Sequence, residues 1–585
     1  MCGICCRLRR IKNDTEISSI QIDDLTKVLL TNRGPNSHTE LSLQTDGFNI
    51  QFSGFVLWQQ GVKLCTQPHQ RKHHVVLING DIFTKRDDST LSDTEWLTQR
   101  IYECNDDEAE LLEMFRNLEG PYSIIYYNQN ANKLYFLRDI LGRQSLLLAK
   151  SPEGDTIISS VLGASRRLYS ECVELPPLGV FCINLVTEEI RLDPWQSLNA
   201  THFEQLTELQ HIFQREIQVK LPIHSPWLIK KDSLHCYNFE SILKESIKNP
   251  STDIFRCLLE NKEVMSVCDE VILRLENSLH DRISATPSMC SECLASRNQK
   301  CEHARIGILF SGGIDCTILA VLTDKLLDAT QPIDLINVSF QKINRAKTNV
   351  PTDYKTPDRL SAYQSLEELK QMSPQRKWNL IEVDVTRDEL EEALKSRIPH
   401  LVYPLNTVLD ESLGCVLWFG ARGQGKIDGV DYTSNCRVLL IGSGADELFG
   451  GYTRHRNAFI RQYEDDLTPF ERLERELEFD FNRLPNRNLA RDDRVIGDHG
   501  VTARSPYLEE KLVHFIRALR PYQKCYPMLE QGVGDKLLLR LCGFRLGLRE
   551  VATLKKRAMQ FGSRVADSKQ NAKDISESLV QILNN

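Results

Sequence analysis

The chain has 585 residues, of which 41% are apolar and 26% are charged, and its formal net charge is −8. This length allows about two to four domains, and the lack of a basic excess argues against a nucleic-acid partner. No apolar run reaches the roughly 18 residues that a membrane span needs, and no hydrophobic leader opens the chain. We therefore expect a cytoplasmic protein without a membrane partner, in which most of the 18 cysteines are reduced.

The first 190 residues are predicted to form β-structure with a few helices. HVVLING (74–80) is typical of a buried strand, and YSIIYYNQNANKLYFLRD is typical of a hairpin, because two β-prone runs flank an Asn-rich turn. In EAELLEMFRNL the apolar residues recur on one face, which predicts a helix. From about 190 to 260 the pattern is weak and polar, so we expect a connection or an insertion.

The remaining sequence alternates helices with strands. A helix is predicted from residue 263, and strands are predicted in RIGILFSGGIDC, LINVSF, LIEVDV and RVLLIGSGADELFGGY. This alternation indicates a parallel α/β sheet, and the chain beyond 455 is predicted to be mostly helical. The polar, glycine-rich segment 420–437 is predicted to be an insertion or a flexible loop. The predicted divisions are a domain 2–188, a connecting segment 189–261, a domain 262–570 and a C-terminal tail 571–585.

The opening residues, MCGICCRLRR, place Cys2 directly behind the initiator Met1. Because the side chain of Cys2 is small, we expect removal of Met1, which leaves a thiol and a primary amine on one carbon. Such an amine is less basic than a lysine amine and can take the thiol proton for acyl-transfer chemistry. The alternative is an ordinary reduced cysteine.

A glycine turn, SGGIDC, follows a predicted strand and is a candidate nucleotide site. Gly312 and Gly313 let the backbone approach an anion at the start of a helix. Ser311 can donate a hydroxyl hydrogen bond, and Asp315 supplies a carboxylate for Mg²⁺. The spacing excludes an ordinary P-loop, and no GxGxxG motif is present. The alternative is a plain strand–turn–helix link.

A second acidic glycine turn, IGSGADELFGG (441–451), also follows a predicted strand. Gly442 and Gly444 shape this turn, and Asp446 and Glu447 can share the Mg²⁺ with the first turn. The alternative is a tight turn whose acids cap the next helix.

The segment SMCSECLASRNQKCEHA contains Cys290, Cys293, Cys301 and His303 in a C-x2-C-x7-C-x-H pattern. Three thiolates and an imidazole can hold a structural Zn²⁺ ion. The C-x-H spacing is tighter than is usual for zinc, so the alternative is a reduced loop without metal.

Ten short motifs in this order resemble two known families. MCGI, NRGPN (32–36), NGDIF (79–83), SDTE (92–95) and RDILGRQSL (138–146) resemble class II glutamine amidotransferases. SGGIDC, GSGADELFGGY, HGVTARSPYLEE (499–510), DKLLLR (535–540) and KKRAMQFGS (555–563) resemble the synthetase domain of glutamine-hydrolysing asparagine synthetases. The resemblance covers about residues 1–190 and 262–570.

The resemblance implies an α+β N-terminal-nucleophile domain, followed by an α/β parallel-sheet domain of the ATP-pyrophosphatase type with a helical C-terminal part. It implies that Cys2 attacks the side-chain amide of glutamine and that Asn79 and Gly80 form the oxyanion hole. Asp93 matches the acid that holds the glutamine amine, and Asp81 stands where the family usually has Glu.

For the second domain, the resemblance implies that a carboxylate, aspartate by default, is adenylated with ATP and Mg²⁺, and that ammonia from glutamine displaces AMP. Lys556, or Lys555, matches a lysine that faces the adenylate. The family also suggests a homodimer. The residues implied to bind ATP and Mg²⁺ are Ser311, Gly312, Gly313, Asp315, Gly442, Gly444 and Asp446.

Several positions depart from the family pattern. The arginine that clamps the glutamine α-carboxylate belongs near 54–58, where GFVLW has none, and its loss removes about 2–3 kcal/mol of binding. The usual second serine of the phosphate loop is Cys316, and Thr317 is a candidate substitute. Ile441 and Ser443 replace a serine and a glutamate, so a carboxylate that faces the reacting intermediate is missing.

Three hypotheses follow from these motifs. The first is a glutamine- and ATP-dependent amide synthetase that resembles asparagine synthetase. The second is a catalytically impaired pseudoenzyme or regulatory scaffold of the same fold. The third is a glutamine hydrolase alone.

Overall fold

The computed structural model describes most of the chain. The described residues are 1–11, 22–88, 90–228, 235–246, 253–287, 289–290, 292–293, 296, 301–341, 353–462, 465–565 and 571–584. Within them the strands form three sheets. Two sheets lie in residues 1–228, called here the N-terminal unit, and the third lies in residues 235–584, called the C-terminal unit.

The N-terminal unit is a sandwich of two sheets. Its strands are β1 (Gly3–Arg10), β2 (Ser37–Gln44), β3 (Phe48–Val56), β4 (His69–Arg71), β5 (His74–Gly80), β6 (Tyr122–Asn128), β7 (Lys133–Arg138), β8 (Leu147–Lys150), β9 (Thr156–Ser159), β10 (Glu171–Glu174), β11 (Gly179–Asn184), β12 (Ile190–Pro194) and β13 (Ile217–Val219). One sheet has the order β10-β8-β9-β1-β3-β2 and is antiparallel. The other has the order β13-β12-β11-β7-β6-β5-β4 and is antiparallel except for β12–β13.

Alternation along β1 shows how the sequence builds this sandwich. Ile4, Cys6 and Leu8 enter the core between the two sheets, whereas Cys5 packs in a different core on the opposite face. Helices cover the outer faces: α1 (Asp24–Arg33) packs on the first sheet, and α2 (Asp93–Glu103) and α3 (Glu108–Arg116) pack on the second. Ser92 and Glu95 form a capping box that fixes the start of α2.

The N-terminal sandwich continues past residue 188 into the segment predicted to be a connection. Strand β12 pairs with β11, and β13 pairs with β12. Between them, α4 (Ala200–Phe213) buries Leu206, Leu209 and Ile212 in the core of the sandwich. The segment predicted to be a connection therefore contributes two strands and a helix to the N-terminal sandwich.

The C-terminal unit is built on a mainly parallel sheet. Its strands are β14 (Ile306–Leu309), β15 (Ile333–Phe340), β16 (Trp378–Val385), β17 (Gln424–Ile427), β18 (Val430–Thr433), β19 (Val438–Leu440) and β20 (Thr502–Arg504), in the order β18-β17-β16-β15-β14-β19-β20. The five strands from β16 to β20 in that order run parallel, as the strand–helix alternation predicts. Their carboxyl ends therefore meet at one edge of the sheet.

Helices surround this sheet and form most of the chain beyond residue 455. They are α5 (Phe239–Ser246), α6 (Ile254–Glu260), α7 (Lys262–Ser284), α8 (Ile314–Leu326), α9 (Pro357–Met372), α10 (Arg387–Ser396), α11 (Ile398–Val402), α12 (Val408–Arg422), α13 (Ala445–Phe449), α14 (Thr453–Ile460), α15 (Pro469–Leu484), α16 (Ala490–Gly497), α17 (Glu510–Ala518), α18 (Pro521–Lys524), α19 (Leu537–Leu546), α20 (Met559–Gly562) and α21 (Glu577–Asn584). A π-helical turn, Pro485–Leu489, joins α15 to α16, and α21 lies in the predicted tail. None of the helices among the described residues has the length and apolar character to cross a membrane.

The segment 420–437 contains a β-hairpin over 424–433, so its interpretation as a flexible loop was wrong, and the alternative of an insertion stays a prediction. Strands β17 and β18 are joined by Asp428 and Gly429, both at positive φ, and β17 adds antiparallel to the edge strand β16. An Asp-Gly pair favours a two-residue hairpin turn because both residues tolerate this backbone conformation. The polar composition reflects a hairpin at the edge of the sheet.

The two units share a hydrophobic core and a set of buried ion pairs. Leu29 and Phe55 of the N-terminal unit pack in one cluster with Val338, Ile398 and Val495 of the C-terminal unit. The buried pairs that cross the contact are Arg33–Asp493, Asp81–Arg504, Arg143–Glu510 and Glu174–Arg494. This contact fixes the position of each unit relative to the other.

Candidate functional site

Cys2 directly precedes β1 and lies beside the carboxyl end of β5, where Asn79 is located. Its backbone N–H donates to Asn79 Oδ1 at 2.9 Å. Its Sγ lies 4.0 Å from the carbonyl oxygen of Leu57 and 3.7 Å from Gln67 Nε2. The structure therefore brings together Cys2 and Asn79, which are 77 positions apart in the sequence.

The backbone at the end of β5 requires a glycine at position 80. Gly80 has a φ of +126°, and a Cβ atom there would lie 2.1 Å from the carbonyl oxygen of Pro121. Only glycine fits this position without strain. Asn79 Nδ2 donates to Asp493 of the C-terminal unit at 3.4 Å, so the amide already has an acceptor.

Burial raises the pKa of the Cys2 thiol, although the nearby terminal amine of Met1 opposes that shift. The Met1 amine donates to Thr502 Oγ1 at 3.1 Å, and Met1 itself is buried. A thiol in this setting needs a close base to become a nucleophile. Removal of Met1 would supply that base on Cys2 itself.

The two predicted glutamine-binding acids have opposite electrostatic surroundings. Burial alone would raise the pKa of Asp81, but its ion pair with Arg504, at 2.9 Å, lowers the pKa to about 2. Asp93 is partly buried at the start of α2, and this burial raises its pKa to about 6 against the opposing effect of Arg86. Asp93, unlike Asp81, therefore has a carboxylate that a ligand ammonium can stabilise.

Arg86 is a cation that interacts with both acids, and sequence reasoning did not identify it. Burial lowers the pKa of Arg86, whereas Asp93 and Asp81 raise it. Its guanidinium donates to Gln60 Oε1 at 2.9 Å and to the carbonyl oxygen of Ile82 at 2.6 Å. An arginine is thus present beside the two predicted glutamine-binding acids although 54–58 contains none.

A cavity of about 430 Å³ lies at the carboxyl ends of the parallel strands. Both predicted glycine turns line it, with Ser311, Gly313 and Asp315 on one side and Gly442, Gly444 and Asp446 on the other. The N-terminus of α8 starts at Gly313 without a side-chain cap, so its N–H groups are available to an anion. Gly312 has a φ of +76°, and a Cβ there would lie 2.3 Å from the backbone of Ser361.

The acids of the two turns lie around a pair of lysines. Lys536 Nζ lies 2.6 Å from Asp315 Oδ2 and 2.7 Å from Asp446 Oδ1, and Lys556 also pairs with Asp446. The other oxygen of Asp315, Oδ1, is buried and has no hydrogen-bond partner among the described residues. An unsatisfied carboxylate oxygen beside a second carboxylate fits a hard cation such as Mg²⁺.

Glu447 is less suited to this role than Asp446. Its Oε1 accepts a hydrogen bond from Tyr452 Oη at 2.6 Å. Burial, and then the neighbouring Asp446, raise the pKa of Glu447 to about 7. The hydrogen bond from Tyr452 also occupies one of the oxygens that a metal ion would need.

The structure also shows where the residues that differ from the family pattern lie. Thr317 is fully buried and donates to the carbonyl oxygen of Gly313 at 2.9 Å, so it does not replace the missing serine. Cys316 lines the cavity, and its Sγ lies 3.2 Å from the same carbonyl oxygen. Ile441 and Ser443 both line the cavity, where the family pattern would place a carboxylate.

A second, small cavity of about 20 Å³ lies between the units. It has room for about one water-sized molecule. Ile441 and Asp492 line both this cavity and the large one. Asp493, which accepts hydrogen bonds from Asn79 and Arg33, lines the small cavity as well. The small cavity is thus lined both by a hydrogen-bond partner of Asn79 and by residues that line the large cavity.

Cys290, Cys293, Cys301 and His303 come together, and none of them lines the large cavity. They precede β14, whose opposite, carboxyl end carries the large cavity.

Three further residues of the sites were not predicted, although they lie inside the motifs quoted above: Arg33 in NRGPN, Arg504 in HGVTARSPYLEE and Lys536 in DKLLLR.

The chain is similar to known proteins along its whole length. A family model described as asparagine synthase matches residues 294–473 and 465–581. The asparagine synthetase domain-containing protein CG17486 of Drosophila melanogaster is 42% identical over 99% of this chain and 100% of its own length. Asparagine synthetase domain-containing protein 1 of Homo sapiens is 34% identical over 97% of this chain and 95% of its own length. The protein of the same name from Bos taurus is 33% identical over 99% and 97%.

Proposed function

Because this chain belongs to the family of asparagine synthetase domain-containing proteins, we propose that it catalyses glutamine- and ATP-dependent amide synthesis, with aspartate as the default acceptor. The observation that carries the proposal is the presence of two candidate sites, one in each unit, with the buried contact between the units holding them near each other. Cys2 lies against Asn79 in one unit, and a cavity with two acidic glycine turns lies in the other. Neither site alone would distinguish a synthetase from a hydrolase or a nucleotide-binding protein.

In the proposed reaction, Cys2 without Met1 supplies both nucleophile and base. The α-amine takes the thiol proton, Sγ attacks the amide carbon of glutamine, and donors at Asn79 and Gly80 stabilise the oxyanion. Ammonia leaves, and water then releases glutamate from the thioester. Asp93 holds the glutamine amine. Arg86 binds the α-carboxylate of glutamine, in place of the family arginine that is absent from 54–58.

In the C-terminal unit, the proposed reaction joins AMP to the acceptor carboxylate and releases pyrophosphate. Asp315 and Asp446 would hold Mg²⁺, which screens the charge of the phosphates when it is bound. The N–H groups at the start of α8 and the ammonium of Lys536 stabilise phosphate oxygens. Ammonia then attacks the activated carbonyl, and AMP leaves. The small cavity beside Asp493 and Ile441 is the proposed route for the ammonia.

A direct assay tests this proposal. Full-length protein, shown by intact mass to lack Met1, is incubated with glutamine, ATP, Mg²⁺ and aspartate, and then with ammonium in place of glutamine. We expect equal amounts of glutamate, AMP and asparagine with glutamine, and AMP and asparagine with ammonium. AMP release that needs neither a nitrogen donor nor any carboxylate from a panel of acceptors would contradict the proposal.

A second candidate function is a scaffold that binds nucleotide without turnover. Ser443 favours this candidate, because it leaves the cavity without the carboxylate of the family pattern. Tight binding of ATP and Mg²⁺, without AMP release in the same assay, would establish it. Hydrolysis of glutamine in the absence of any nucleotide-dependent step would instead support a glutamine hydrolase.

The raised pKa of Asp93 predicts how glutamine binding depends on pH. With Cys2→Ala protein, which cannot turn glutamine over, we expect the affinity to fall as the pH drops through about 6, because protonation removes the carboxylate that pairs with the ammonium. The fall should approach about tenfold per pH unit below that value. Isothermal titration calorimetry between pH 5 and pH 8, roughly the range around this pKa, measures it.

Asp93→Asn is the matched variant. It should bind glutamine at least about tenfold more weakly at neutral pH and lose the pH dependence. Asp88→Asn is the control, since Asp88 is an exposed carboxyl in the same region of the chain and should leave binding unchanged. Affinity that stays constant through pH 6 with Asp93 intact would contradict this role.

A further inference from the structure

Three thiols and one imidazole converge in the connection between α7 and β14. The ligand atoms of Cys290, Cys293, Cys301 and His303 all lie within 4.8 Å of one another. His303 Nδ1 lies 3.5 Å from Cys290 Sγ, 3.4 Å from Cys293 Sγ and 4.0 Å from Cys301 Sγ. All four side chains therefore point to one common centre.

We propose that these four residues form a structural zinc site. For a tetrahedral ion with Zn–S near 2.3 Å and Zn–N near 2.0 Å, the sulfur and nitrogen ligands should stand about 3.5 Å apart. The separations of His303 Nδ1 from Cys290 Sγ and Cys293 Sγ, 3.5 Å and 3.4 Å, agree with that value, and its separation from Cys301 Sγ, 4.0 Å, is longer. Thiolate and imidazole ligands in a tetrahedral set favour zinc over Mg²⁺ or Ca²⁺, which take oxygen ligands.

The backbone around the cluster supports charged sulfurs. The N–H of Cys293 donates to Cys290 Sγ at 3.3 Å, and the N–H of Cys290 donates to Cys301 Sγ at 3.4 Å. Such donors stabilise thiolates that share one ion. Because the protein supplies all four ligands, no coordination position stays open for a substrate. The site therefore stabilises structure and takes no part in amide chemistry.

The surroundings show what the metal would hold in place. Glu292, within the cluster, accepts a hydrogen bond from Asn435 Nδ2 at 2.7 Å, just after the β17–β18 hairpin. Thr286, which precedes the cluster, accepts from Arg504 at 2.7 Å, and Arg504 pairs with Asp81 of the N-terminal unit. Zinc would thus fix a long connection against the hairpin and next to an ion pair between the units.

Metal analysis of the full chain tests the proposal. Protein purified without a metal-affinity step should contain about one zinc ion per chain by mass spectrometry. A mercurial thiol reagent should release it, as followed with a zinc dye. Cobalt substitution should give a thiolate-to-cobalt charge-transfer band and the intense visible bands of a tetrahedral site.

Cys290→Ser and Cys301→Ser should each lose most of the bound zinc. The control is Cys257→Ser, which changes a partly buried cysteine of α6 outside the cluster and should keep it. Wild-type protein that contains no zinc and takes none up on reconstitution would overturn the proposal, whether or not the variants fold. A disulfide among the three cysteines, detected by thiol counting and peptide mapping, would overturn it as well.

Discussion

Cys2→Ala should abolish glutamine-dependent synthesis and leave ammonium-dependent synthesis close to the wild-type rate. The nucleophile forms the thioester, so its loss should lower glutamine hydrolysis by at least about 10³-fold. The second site does not contact this side chain, and ammonium bypasses the first site. Glutamate release and AMP release, measured in parallel with each nitrogen donor, separate the two activities.

Cys65→Ala is the matched control for this variant. Cys65 is also a buried thiol of the N-terminal unit, but its Sγ interacts with His69 and with the carbonyl oxygen of Thr66. It should retain both activities. Glutamine hydrolysis that survives in Cys2→Ala would remove the amidotransferase mechanism, and loss of the ammonium-dependent activity would show that the substitution damages the fold.

Arg33→Met should destabilise the protein by about 3–5 kcal/mol, because it leaves Asp493 buried without its counter-charge. Both side chains are essentially inaccessible to solvent, and their charged atoms lie 2.8 Å apart. Arg33 also donates to Asn79 Oδ1 and to the carbonyl oxygen of Cys2. The substitution should therefore lower glutamine hydrolysis beyond its effect on stability. Urea denaturation and initial rates well below the midpoint measure both effects.

The double variant Arg33→Met/Asp493→Leu gives the necessary comparison. Replacing both charges by apolar side chains removes the uncompensated charge, so the double variant should recover much of the lost free energy of unfolding. Arg116→Met is the single-site control, since Arg116 pairs with Glu113 at a partly exposed position and should cost under about 1 kcal/mol. Additive losses in the double variant would contradict a direct pairing of Arg33 with Asp493.

Local patterns were sufficient to predict much of the architecture. The strand at 74–80, the hairpin β6–β7 and the parallel sheet of the C-terminal unit are confirmed, because each depends on periodicity or turn residues within a short window. The family is confirmed as well. The hairpin within 420–437 was not predicted, because its strands are polar and largely exposed, although the Asp428-Gly429 pair is a local turn signal.

Residue pairing across the contact could not be predicted in this way. Arg33 and Asp493 are 460 positions apart, and the sequence around either residue does not indicate which residue it pairs with. The same holds for Lys536, which bridges Asp315 and Asp446 from a distant helix start. Arg86 lies outside the segment 54–58 in which the family pattern places its arginine, and it interacts with the same acids from another loop.

Because buried ion pairs join the two units, each half of the chain needs the other half to cover and neutralise its charged side chains. Expressed alone, the N-terminal half would expose Arg33, Asp81 and Glu174, which are buried in the contact between the units. The other half would expose their partners. Truncation is therefore a poor way to isolate one chemistry. A descendant that lost one of the two proposed activities would still need both halves to cover these charges.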